Sequence, residues 1–521
     1  MTTTDFAALD PRTPVLVGVG QSVERIEDAD YRGLSAADLA ARAAEAALAD
    51  CGQAQAVRGL AVAVGAVRTF EDSNAAPSPF GKPDKFPLAV ARRLGIAPKI
   101  AVLDKVGGQT PVTLVMDMGA RILAGEVDAA LVFGAEAISS ARNLSAKGET
   151  RDWAETDAGE IEDRGLGTRG MLSPLAVAHG IVSPPIAYAL MENARRARLG
   201  QTREAYALAM GALFAPFTEV AAKNPHSCAA SSSMRAEAIA TPSERNRMVT
   251  DPFTIKLVAR DQVNQGAAVL LISLGAALAA GIGRERISFI HAAALGHEKE
   301  VLARPALDGY PAADAAIAAA LDAARVTTDD LAAFDFYSCF PIPVFNAAID
   351  GLGLGIDDPR GLTVTGGLPY FGGAGNNYSM HAIASMVERL RTLGPAARGL
   401  VGANGGFQSK YAAMVLSSAP AAWPGLLHEA IQARLDAVAD IAPLAEASGT
   451  GTIETYTVWR NKGVAANAIV IGTLDQGGDQ GGRFVANAAD EATLNHAADN
   501  DLIGRKVALS FDGKRNRFRL L

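Results

Sequence analysis

The stretch LDKVGGQTPVTLV, residues 103–115, runs a short β-branched strand into two glycines and straight on into a helix. A strand–turn–helix of this kind aims either one reactive side chain or a row of backbone N–H groups at a substrate. Gly107 and Gly108 have no side chain to offer. What remains are the N–H groups at the helix start, those of Gly108 and Gln109, which suit a developing oxyanion. GANGGF supplies a second glycine pair, Gly405 and Gly406. Side chains able to attack a carbonyl or move a proton are few. Tyr337 and Cys339 share the turn YSCF, while Tyr378 and His381 lie one helical turn apart after GGAGNN. A phenol is a poor base at pH 7 unless its site lowers a pKa near 10, so Tyr337 is either a tuned proton carrier or a half-buried aromatic bonded to backbone. Tyr378 either faces the same pocket or packs. His381, on the apolar YSMHAIASM, reads as a core histidine more readily than as a catalyst. Cys339 reads as a plain buried thiol. His226 and Cys228 are two residues, too few for a metal site, and GGAGNN lacks the Lys-Ser/Thr of a phosphate loop.

These turns must be held by regular elements, and the apolar runs supply them. PVLVGVGQ (14–21), GLAVAVGAV, IAVLDKV and DAALVFGAEA (128–137) are continuous strands of a sheet covered on both faces. A helix follows Ser35, where Ser35 and Asp38 form a cap-like pair. From about 138 to 250 the regularity gives way to charged loops and to helical patterns at 187–198 and 202–220, an inserted cap or loop domain. Strands return with AAVLLISLG (267–275), RISFIHAAALG, AAFDFYSCF, GLTVTGG, GLVGANGGF and YAAMVLSS, separated by helices at 311–325, 341–351 and 377–392. The element order over 268–418 echoes that over 14–137 plus 267–275, an internal duplication. Two such halves place their glycine turns at one end of paired sheets, where a site between them is expected. After a connector and a helix at 426–439, five short strands and a small helix at 489–499 predict an OB-like barrel.

Bulk composition excludes several classes. The 521 residues carry a net charge of −8 with no Lys/Arg stripe, against nucleic-acid binding. The barrel's aromatic and basic strand residues, Tyr456, Trp459 and Arg460, are too few for an oligonucleotide face. Three cysteines without C-x-x-C spacing predict neither a disulfide framework nor structural zinc, and suggest a reducing cytoplasm. MTTTDFAALDPRTP does not read as a signal peptide. The longest apolar run, 266–282, is broken by glycines and reads as a buried strand plus turn, so no membrane insertion is expected.

Four stretches in order resemble the thiolase superfamily, nearest to the sterol-carrier-protein type in its acetyl-CoA acetyltransferase branch with an added C-terminal domain. They are DKVGGQTPVTLVMDMGARILAGEVDAALVFGAEA, YSCFPIPVFNAAIDGLGL, VTGGLPYFGGAGNN and GLVGANGGFQSKYAAMVL, spanning about 12–418. The resemblance implies a five-layered α/β fold of two β-α-β-α-β-α-β-β halves: 12–275 including the insertion at about 138–250, then 276–418, with the OB-like domain at 426–521. It also implies where chemistry has been lost. Gly108 stands where the acyl-accepting cysteine belongs, with Gly107 the shifted alternative. Gly373 (or Gly372) replaces the histidine of G-H-P, and Ala403 replaces the second cysteine. Tyr337 stands for the asparagine or histidine of the oxyanion region. Classical thiolysis needs a thiolate, so it is not expected. An aldol, retro-aldol or Claisen-type step beside a thioester needs only a base and an oxyanion pocket. Steroid side-chain aldolases, thiolase-like proteins with a tyrosine at this turn and a separate OB-fold partner, look similar. The expected catalytic set is Tyr337, Tyr378 and His381, with the backbone of Gly108, Gln109, Gly405 and Gly406. Coenzyme A would enter as part of the substrate, with no tightly bound cofactor. Thiolases of this kind are commonly homodimers, through an interface that an added domain is able to block. The competing expectation is a non-catalytic scaffold holding CoA, a lipid acyl group or a protein partner.

Overall fold

The computed structural model describes residues 6–73, 79–228, 232–475 and 482–521. In chain order the first half supplies β1 (Pro14–Val23), α1 (Ala36–Asp50), β2 (Val62–Ala66), β3 (Ile100–Leu103), α2 (Thr110–Leu123), β4 (Ala129–Ala137) and the short β5 (Glu162–Asp163). The insertion contributes α3 (Pro184–Arg198), α4 (Arg203–Lys223), β6 (Met248–Thr250) and β7 (Phe253–Thr254), and β8 (Asn264–Ser273) completes the half. The second half runs through β9 (Phe289–His297), α5 (Pro311–Ala324), β10 (Ala333–Phe336), α6 (Tyr378–Leu393), β11 (Arg398–Gly405), β12 (Lys410–Ser417) and β13 (Leu426–Leu427).

The two sheets have the orders β1-β8-β4-β2-β3-β5 and β10-β11-β12-β9-β13. In each, parallel βαβ units are bordered by antiparallel strands, for example β2/β4 parallel and β4/β8 antiparallel. Continuous Val/Ile/Leu/Ala runs are what strands buried on both faces require. α2 and α6 lie between the sheets: Val112, Met116, Ile122, Ile383, Met386 and Leu390 share one core with Val132, Val269, Val401 and Met414. α1 covers the outer face of the first sheet and α5 that of the second. The result is five layers, helix–sheet–helix–sheet–helix. Ser35 caps α1 as read from the sequence, its Oγ accepting from the Asp38 N–H at 3.2 Å while Asp38 accepts from the Ser35 N–H at 3.1 Å.

One expected strand is absent. GLTVTGG is irregular because the buried Asp335 carboxylate, at the end of β10, takes the N–H groups of Val364 (2.9 Å) and Thr365 (3.0 Å) that a sheet partner would have taken. Residues 345–351 of the expected helix form a π-turn. β5 adds to the edge of β3 and is fixed there by Arg121–Glu162 (2.7 Å) and by an Arg68–Asp163 ion pair. That closes an edge that would otherwise be free to pair.

The C-terminal region closes a five-stranded barrel from β14 (Gly449–Asn461), β15 (Val464–Leu474), β16 (Arg483–Ala488), α7 (Glu491–Asp499), β17 (Lys506–Phe511) and β18 (Asn516–Leu520). Counting from β14, the strand order is 1-2-3-5-4 returning to 1, with the helix between the third and fourth strands, as in an OB fold. Its core is separate, built on Ile453, Tyr456, Val470, Phe484, Val507 and Phe518. Among the described residues one helix, α4, is long and apolar enough to cross a membrane. Its Tyr206, Met210, Phe214 and Phe217 instead pack into the second half's core.

Candidate active site

Four turns meet where the halves join, and they enclose a cavity of about 590 Å³. They are Val106–Gly108 before α2, Tyr337–Phe340 after β10, Gly373–Asn376 before α6 and Asn404–Phe407 after β11. The insertion supplies the remaining wall, with Met171, Pro184, Pro185 and Tyr188. The turns are stitched across the duplication. The Gly107 N–H donates to Asn376 Oδ1 (2.9 Å), Asn376 Nδ2 donates to the Arg68 carbonyl (2.8 Å), and Ser379 Oγ donates to the Gly108 carbonyl (2.6 Å). Gly107 has φ +140°, which only glycine adopts cheaply. Among the described residues the N–H groups of Gly108, Gln109 and Gly406 have no hydrogen-bond partner, and Gly108 and Gly406 line the cavity.

Tyr337 packs directly against Gly108. A Cβ built on Gly108 would overlap the Asn404 carbonyl oxygen and lie 2.5 Å from two carbons of the Tyr337 ring. The phenol thus fills the volume a side chain at 108 would need. Its N–H is tied to the Gly402 carbonyl (3.1 Å), and its hydroxyl has no partner among the described residues. Burial pushes its pKa far up, with the neighbouring Cys339 adding to the effect. The shift favours the neutral phenol, a hydrogen-bond donor, at Tyr337. Burial likewise pushes the Cys339 thiol up to about 12, against a nucleophilic role.

Two expected catalytic residues do not reach the cavity. Tyr378 is fully buried, its hydroxyl bonded to Thr365 Oγ1 (2.5 Å) and Asp335 Oδ1 (3.2 Å), and its ring meets Tyr337 edge-on at 5.3 Å. It props the phenol from outside the cavity. His381 is fully buried one turn on, its Nδ1 2.7 Å from Gln21 Oε1 and its ring against Phe371. Gln109 turns its side chain back between Gly107 and Gly405, and Ala403 is buried in the core between the sheets. Gly373, Gly405 and Gly406 do line the cavity. His226 and Cys228 form no metal cluster, and none is found among the described residues.

His381 yields a pH prediction. Burial lowers its pKa to about 3 from the ordinary 6.5. The folded state therefore binds fewer protons than the unfolded state between those values, and the stability that neutral His381 contributes is present above pH 6.5 and lost as pH falls toward 3. We expect wild type to lose stability relative to His381→Gln as pH is lowered through this window in denaturant titrations. Any activity titrating near pH 6.5 will survive the substitution.

Three residues escaped sequence reasoning: Asn376, Asn404 and Tyr188. Asn404 Nδ2 donates to Tyr188 Oη (2.8 Å) and lies 3.6 Å from Cys339 Sγ, while its Oδ1 accepts from Tyr310 Oη (2.8 Å). Asn376 and Asn404 each sit beside a glycine in a turn already flagged, where a polar side chain among glycines is itself a signal. Tyr188 gave none, being one aromatic in an apolar helix.

A duplicated five-layer α/β fold with paired glycine turns at the joint of its halves is the fold of a thiolase-like protein. The chain belongs to the SCP2-thiolase-like protein type 1 family: it is 40% identical to the monomeric member from Mycobacterium smegmatis, covering 98% of this chain and 100% of that one with a TM-score of 0.82. Residues 430–514 match the family model for the thiolase-like protein type 1 additional C-terminal domain. The fold alone is shared with an Ltp2–ChsH2(DUF35) aldolase (17% identity, 78% of this chain and 98% of that one, TM-score 0.56). The same holds for the dimeric peroxisomal thiolase of Saccharomyces cerevisiae (15%, 78% and 98%, TM-score 0.54). No curated protein matches the chain.

Proposed function

We propose that this protein binds an acyl-CoA thioester in the cavity without forming a covalent acyl-enzyme, the thioester oxygen accepting from the Tyr337 hydroxyl and the Gly108 N–H. One observation carries the reading: a protonated, unpartnered phenol occupies the place of the thiol at the mouth of a free N–H turn. Apolar lining from Val106, Pro184, Leu368 and Phe407 suits an acyl chain. The three cysteines are free and buried, which supports a cytoplasmic setting. Because β5 covers the edge of β3, we favour a monomer over the homodimer. Calorimetry with CoA and an acyl-CoA series tests the reading. Acyl-CoA should bind with no adduct by mass spectrometry, and Tyr337→Phe should weaken it by about tenfold, the worth of one hydrogen bond. Absence of binding across the series would overturn it.

The same phenol favours a second reading, cleavage or formation of a C–C bond beside the thioester. A neutral donor can hold or protonate the enolate that leaves when a β-hydroxyacyl-CoA splits. The base is the weak point. Asp261, at the rim and 3.9 Å from Arg142, is the one carboxylate lining the cavity among the described residues. Carbonyl release from β-hydroxyacyl-CoA, lost in Asp261→Asn, would establish this chemistry.

A further inference from the structure

The additional barrel lies outside the cavity, yet two separate chains of contacts lead from it to the same turn. The first runs through α3. Thr455 Oγ1 on β14 donates to the Leu190 carbonyl (2.6 Å), Asn193 Nδ2 donates to the Tyr456 carbonyl (2.9 Å), and the buried Arg196 guanidinium meets both oxygens of Asp501 at 2.6 and 2.8 Å. Two helical turns back, Tyr188 on the same helix reaches the cavity. Its hydroxyl donates to the Gly406 carbonyl (2.9 Å) and accepts from the Gln408 N–H (3.0 Å) and from Asn404 Nδ2. The second chain runs through Arg483 of β16, which donates to the Leu302 carbonyl (3.2 Å) and to the Arg304 carbonyl. Arg304, buried and with no ion pair to a carboxylate among the described residues, donates in turn to the Phe407 carbonyl at 2.9 Å.

We propose that the C-terminal barrel is a positioning module for the cavity: by clamping α3 and the 301–305 segment, it fixes the Asn404–Gln408 turn whose N–H groups and side chains form one wall. Physical economy supports this. Gly405 and Gly406 have no side chains with which to hold their part of the turn. Its carbonyls at 406 and 407 are instead held from outside by Tyr188 and Arg304, and both of those are backed by the barrel. Charge-assisted bonds such as Arg196–Asp501 are the strong links in such a chain when buried, and Arg196 is only 3% exposed. The barrel and the cavity are then one cooperative unit, and loosening the first loosens the second. That the cavity takes an acyl thioester is the reading given above, on which the inference rests for its ligand alone.

The test uses the full chain with Asp501→Asn, which removes the Arg196 ion pair at a partly exposed carboxylate, and Asp501→Glu as the conservative control. Hydrogen exchange is followed at 404–408, at α3 and, as a remote reference, at α1. In Asp501→Asn we expect exchange about tenfold faster at 404–408 and along α3, no change in α1, and recovery in Asp501→Glu. Acyl-CoA affinity should fall in parallel. Faster exchange confined to the barrel and Asn193–Arg196, with 404–408 unchanged, would overturn the proposal and leave the barrel an independent appendage. Should Asp501→Asn fail to fold, Thr455→Val, which removes one neutral bond to α3, decides on the same readout. Exchange needs no ligand, so a coupled turn in a protein that binds no acyl-CoA would sink the functional reading and leave this one standing.

Discussion

Restoring the thiol, Gly108→Cys, is expected to yield no acyl-enzyme and to cost the fold about 3 kcal/mol or more. The Cβ alone would overlap the Asn404 carbonyl oxygen, which belongs to β11 and cannot swing aside, and would press on the Tyr337 ring. Overpacking a filled interior costs about 1–3 kcal/mol even where side chains can move; here one obstacle is backbone. Tyr337 is itself wedged by Tyr378 behind it. Trimming it in Gly108→Cys/Tyr337→Ala should recover part of the stability and no chemistry, because the Asn404 contact remains. Nor would the thiol ionise. Cys339, which lines the same cavity, is pushed up to about 12, and Gly373, also lining it, has no side chain to take a proton. Chemical denaturation gives the stability, and mass spectrometry after incubation with acyl-CoA gives the adduct. A covalent adduct with unchanged stability would show that the phenol vacates the turn.

The duplication, most of the strand order and the barrel were legible in the sequence because they rest on short-range pattern. Buried strands are unbroken apolar runs, and α1 announces itself with Ser35 and Asp38. The glycine turns were legible as turns. Local pattern could not say what packs against Gly108, because Tyr337 comes from the other half, more than two hundred residues away. It also misassigned Tyr378 and His381. Both sit in the first turn of a helix that begins at the site, but their side chains point away from the cavity, toward Asp335 and Gln21. Helical spacing fixes a shared neighbourhood, not which side of a wall a residue faces. GLTVTGG failed for a related reason: its β-branched residues are extended, but a buried carboxylate satisfies its backbone where the pattern implies a neighbouring strand.

That carboxylate underlies the other large effect. Asp335→Ala is expected to destabilise the protein by on the order of 4 kcal/mol and to abolish acyl-CoA binding with it. Asp335 is fully buried, and its Oδ2 accepts from Thr363 Oγ1 (2.9 Å), the N–H groups of Val364 and Thr365, and Thr365 Oγ1 (3.0 Å), while Oδ1 accepts from Tyr378. Burial raises its pKa, and these donors pull it back down. Removing the acceptor strands two buried N–H groups and leaves the hydroxyls to find new partners, at about 1–3 kcal/mol for each donor left bare. The loss then reaches the cavity through the 363–367 turn that Asp335 holds, because Leu368 beyond it lines the cavity. Tyr378→Phe tests the tyrosine's own share. It keeps the ring and deletes one bond, so it should cost about 1 kcal/mol and leave acyl-CoA affinity within a few-fold of wild type. If Tyr378→Phe instead abolished binding at unchanged stability, Tyr378 would be meeting the ligand itself, and the wall drawn between it and the cavity would be wrong.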